Sequence, residues 1–117
     1  MGWYVSVNRR IAKAGLADID ALVYRTTVTR ETAEIYVKAI LGPTFPLRFR
    51  RGMSYAGRGG RYITLSLDLI ESGRMPLGTV LHECAHAKQY MNNPRECRKH
   101  GEAFTTSYRK ILISVTT

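Results

Sequence analysis

The spacing of apolar positions divides the chain into helix-like and strand-like stretches. Trp3 to Val7 is a short β-prone run, and Ala17 to Arg25 places Ile19, Leu22 and Val23 on one side of a short helix. Thr29 is a good cap for a helix through Leu41: Glu31 lies in its first turn, Ile35, Tyr36, Ala39 and Ile40 recur every three to four residues, and Gly42-Pro43 stops it. From Leu47 the period drops to two, with Leu47 and Phe49 facing inward and Arg48 and Arg50 outward on a strand. The alternation is cleanest from Tyr62 to Leu69, where Ile63, Leu65, Leu67 and Leu69 are expected to share one face. Gly57-Arg58-Gly59-Gly60 permits the positive dihedrals of a tight connection between the two strands.

Helical spacing then returns. Pro76 suits the first turn of a helix carrying Val80, Leu81, Ala85 and Lys88 until Asn92-Asn93-Pro94 breaks it. After a polar stretch, a last helix from about Gly101 aligns Phe104, Tyr108, Ile111 and Leu112. The expectation is an α+β fold: N-terminal helices, a small antiparallel sheet, a long helix and a C-terminal helix. A length of 117 residues fits one domain with one core.

Composition changes this picture little, but charge does. With no apolar run near the roughly 18 residues of a membrane span, and no signal-peptide pattern in MGWYVSVNRR, an intracellular protein without membrane contact is expected. Cys84 and Cys97 are too few for a disulfide framework and form no CxxC pair, so both read as reduced thiols, Cys84 as a core thiol. Eighteen Lys and Arg against nine Asp and Glu leave a net charge of +9, which favours anionic partners.

The chemistry lies on the long helix, where His82, Glu83 and His86 form an HExxH motif. Residues four apart on a helix share a face, so both imidazoles reach a single Zn2+ ion, while Glu83 lies about 100° around the helix, where it meets a water rather than the metal. Catalytic zinc takes three protein ligands and leaves its remaining position to water. His100, the chain's third histidine, is the preferred third ligand, with Glu102 and Glu96 as rivals. The longer HExxHxxGxxH pattern fails, because Gln89 and Asn92 stand at its Gly and third His. The motif predicts peptide hydrolysis by a zinc-activated water, with Glu83 as general base. Tyr90, Tyr108 and several arginines leave the oxyanion-stabilising role open.

SYAGRGGRYITLSLDLI (Ser54 to Ile70), LHECAHA (Leu81 to Ala87) and HGEAF (His100 to Phe104) together resemble the SprT-like, Spartan-related zinc metallopeptidase family. The resemblance covers about Leu47 to Leu112. It implies a minimal zincin-like domain, zinc held at His82, His86 and His100, Glu83 as the catalytic glutamate, and protein substrates. In Spartan-like members those substrates are proteins crosslinked to DNA, with DNA acting as activator of the peptidase.

Two features bear on partners. Arg48, Arg50, Arg51, Arg58 and Arg61 cluster around the glycine-rich connection with Tyr55 and Tyr62, and read equally as a contact for single-stranded DNA or as a solvated basic face. The strand from Tyr62 to Leu69 could offer a free edge to an extended substrate. The rival to a peptidase is a non-catalytic, zinc-stabilised nucleic-acid-binding module. Glu83 argues against it, because a structural zinc site closes with a fourth ligand and needs no carboxylate at an open position.

Overall fold

The structure, a computed structural model, describes residues 11–13, 15–92 and 102–115, without the Arg58 side chain. The β-prone run from Trp3 to Val7, and Glu96, Cys97 and His100, lie outside the described residues. The elements in order are α1 (Ala17–Arg25), α2 (Arg30–Leu41), β1 (Leu47–Arg50), β2 (Tyr55–Ala56), a 3-10 turn (Arg58–Gly60), β3 (Ile63–Ser66), α3 (Leu67–Glu71), α4 (Leu77–Asn92) and α5 (Glu102–Ser114).

The helices follow their local signals. The Thr29 hydroxyl accepts the Thr32 N–H at 3.2 Å and so caps α2. The face α2 buries is one residue off the expected one. Ala33 and Val37 are fully buried, with Tyr36, Ile40 and Leu41 packed beside them, whereas Ile35 is 66% exposed. Counting Ala33 as apolar gives the i, i+3, i+4, i+7, i+8 stripe of a buried face. Before α4, the Leu77 N–H donates to the Thr26 carbonyl at 2.7 Å and the Val28 N–H to that of Met75 at 2.9 Å, tying the α1–α2 connection to the start of the motif helix.

The sheet confirms the α+β class with a different topology. Its order is β1-β3-β2, with β1 parallel to β3 and β2 antiparallel to it, so the sheet is mixed. The glycine-rich connection joins β3 to the two-residue β2, and β1 lies on the far side of β3, where the return through β2 makes it run parallel. The strand expected over 62–69 ends at Ser66, whose hydroxyl accepts the Leu69 N–H at 3.4 Å and caps α3. Flanked on both sides, β3 has no free edge for a substrate.

Every residue of β3 is buried. Ile63 and Leu65 enter the core, while Thr64 is covered by Arg48, which donates to its hydroxyl at 3.3 Å, and the Ser66 N–H donates to Ser54 Oγ at 2.9 Å. Val80, Leu81, Cys84, Ala85 and Ala87 of α4 meet Ile63 and Leu65 from the sheet, Val23 from α1, Val37 from α2, and Phe104 and Leu112 from α5 in one core cluster. A helix packed on several sides is apolar around most of its circumference, so polar side chains that remain on it need a specific reason to be there.

Candidate active site

His82, Glu83 and His86 occupy the middle of this enclosed helix. The two Nε2 atoms lie 3.2 Å apart, with ring centroids 4.8 Å apart and planes inclined at 74°. Two imidazole nitrogens each about 2.05 Å from a tetrahedral zinc would be about 3.3 Å apart, so the pair fits one ion. Phe104 of α5, fully buried, backs both rings at centroid distances of 4.9 Å from His82 and 4.5 Å from His86. It narrows the angles the imidazoles can adopt.

On its other ring nitrogen, His86 Nδ1 lies 3.2 Å from Gln89 Oε1. Gln89 is completely buried. In the sequence Gln89 stands only as a departure from the HExxHxxGxxH pattern. Its position three residues after His86, on the same helical face, was the available signal.

Glu83 is 8% exposed and lies beside the backbone N–H of Ala56 in β2. Burial pushes the carboxyl up to about 7, and the Ala56 N–H offsets part of that rise. Because this amide points to Glu83 rather than to β3, the outer edge of β2 faces the motif helix. The turn between β2 and β3 rests directly on α4. A side-chain carbon on Gly60 would come within 2.7 Å of the Ala87 carbonyl and 2.8 Å of Tyr90 Cβ.

Among the described residues, no group of three or more His, Cys, Asp or Glu side chains comes together in a way that could hold a metal. Glu102 is therefore not brought to the histidine pair. Cys84, fully buried, has its thiol pushed up to about 12 by burial first and by neighbouring Glu83 second, which suits a core thiol. Tyr108 is committed elsewhere: its hydroxyl donates to Asp20 at 2.5 Å and is 3% exposed as a residue, which removes it from the oxyanion candidates.

The arginines divide. Arg48 lies 3.9 Å over the Tyr62 ring and also donates to the Tyr55 hydroxyl at 3.4 Å, so arginine and both tyrosines engage one another. Arg51 pairs with Asp68 and Glu71, each at 2.7 Å. Arg50 and Arg61 are exposed, and Arg58 opens the 3-10 turn. The outward Arg48 of the simple alternation is instead half-buried, because the sheet's second face needs a cover over Thr64.

A model of the SprT-like family matches residues 9–116. The chain belongs to the SprT-like family. No curated protein and no solved structure matches it. The family match spans all the elements described above, so the histidine pair, the glutamate and the hairpin that touches them belong to one SprT-like unit. No described helix is long and apolar enough to cross a membrane.

Proposed function

We propose that this SprT-like protein is a zinc-dependent metallopeptidase that hydrolyses peptide bonds in protein substrates, with one zinc ion held by His82, His86 and His100 and with Glu83 as general base. The observation that carries the reading is the 3.2 Å separation of the two Nε2 atoms on a helix that also bears a buried glutamate. His100 completes the ligand set in this reading because it is the chain's remaining histidine. Bound zinc would supply Lewis acidity, polarising the scissile carbonyl and making a water acidic enough to attack near neutral pH.

The chain's own residues do the rest. Glu83 takes a proton from the attacking water as the new C–O bond forms, then delivers it to the amide nitrogen as the C–N bond breaks, so the site returns to its starting protonation. DNA-associated proteins are the proposed targets, with Arg50 and Arg61 as the exposed cations available to phosphates.

The test is proteolysis of casein or histone by zinc-loaded protein, with and without single-stranded DNA, beside Glu83→Gln. Cleavage by wild type and none by a variant that still binds zinc is expected. No cleavage under any condition, or equal cleavage by Glu83→Gln, would overturn the reading.

A further inference from the structure

We infer that Gln89 is a positioning residue that holds the His86 imidazole in its Nδ1–H tautomer and so keeps the Nε2 lone pair for a metal. The inference rests on the metal reading proposed above. A neutral imidazole carries its hydrogen on one nitrogen and a lone pair on the other. Gln89 Oε1, 3.2 Å from Nδ1, can only accept a hydrogen bond, so the hydrogen belongs on Nδ1. The lone pair is then on Nε2, the atom facing His82 Nε2 at 3.2 Å.

The identity of the acceptor matters. Metal-binding histidines commonly donate their second N–H to a carboxylate or backbone carbonyl. On α4 the local backbone carbonyls are engaged in the helix, and Gln89 is fully buried, where an ionised carboxylate would carry a large desolvation cost. A neutral side-chain carbonyl fixes the ring without that cost. The opposite amide orientation would present N–H to Nδ1 and drive the ring hydrogen to Nε2, closing the metal-facing nitrogen, so the two orientations make opposite predictions.

The test has two arms. In the first, long-range 1H–15N correlation spectra of metal-free, histidine-labelled wild-type protein are recorded near pH 8, roughly one and a half units above the ordinary histidine value. His86 should show a protonated Nδ1 and an unprotonated Nε2. An Nε2–H tautomer would overturn the inference, and this arm needs neither a variant nor zinc. In the second arm, zinc affinity is measured by chelator competition for wild type, Gln89→Met and Gln89→Glu. Loss of the acceptor in Gln89→Met should weaken zinc binding about 10- to 100-fold, with Gln89→Glu recovering part of the loss. Unchanged affinity in Gln89→Met would also overturn it. A wild-type protein that binds no zinc would instead sink the peptidase reading, and the tautomer would still decide the orienting role of Gln89.

Discussion

Gly60→Ala probes the contact that joins the hairpin to the motif helix. Gly60 has φ of 68°, a left-handed conformation that costs an L-residue roughly 1–2 kcal/mol. Its new methyl would also sit 2.7 Å from the Ala87 carbonyl oxygen and 2.8 Å from Tyr90 Cβ, and neither the helix backbone nor a Cβ can swing away. Forced overpacking of this kind costs typically about 1–3 kcal/mol, for a total near 2–5 kcal/mol. Gly73→Ala is the matched control, since Gly73 has φ of 70° with nothing within 4 Å, and it should lose only the conformational part. Thermal and urea denaturation followed by circular dichroism measure both. At about 4 °C per kcal/mol for a chain of this length, the two midpoints should differ by roughly 4–12 °C. Equal losses in the two variants would refute the claim that the hairpin is pressed onto α4.

Tyr108→Phe removes the hydroxyl bonded to Asp20 and should cost about 1.5–3 kcal/mol in urea denaturation; a change below about 0.5 kcal/mol would contradict a structural role for that hydroxyl. Arg51 first, and the Gly52 N–H second, hold Asp68 below the usual carboxylate range, so its contribution to stability is present above the unfolded value near 4 and is lost as pH falls through the lower folded value. Asp68→Asn should therefore be less stable than wild type at neutral pH and converge with it in strong acid, as denaturation midpoints across pH would show. In a Cys97→Ser background, Cys84 should react with a thiol reagent at pH 8 only as fast as the protein opens, since burial pushes that thiol up to about 12. Rapid labelling of the folded protein would place Cys84 at an accessible surface.

Much of the helical structure was legible because its signals are local. Thr29, Gly42-Pro43, Pro76 and the Phe104–Tyr108–Ile111 spacing act within a turn or two of themselves, and α1, α2, α4 and α5 appear where those signals put them. The sheet was less legible because pairing is not local. Leu67 and Leu69 continue the alternation of β3, and only the Ser66 cap diverts the chain into α3. A two-residue β2 leaves no periodic trace, yet it covers the second side of β3 and sets the Ala56 N–H beside Glu83. The juxtaposition of His82 and His86 was readable from spacing alone. Gln89 was not, because its role depends on burial and on which nitrogen of His86 it meets. The arginines misled in the opposite direction: charge suggested a uniform basic face, while Arg48 and Arg51 are held by tyrosines and carboxylates of their own chain.

X-ray absorption at the zinc edge of the zinc-loaded protein reads whether one zinc ion is shared by His82 and His86. One zinc per chain with imidazole nitrogen ligands at about 2.0–2.1 Å is expected, with loss of that signal in His82→Ala and His86→Ala. Zinc bound through sulfur at about 2.3 Å, or retained at full stoichiometry without either histidine, would contradict it.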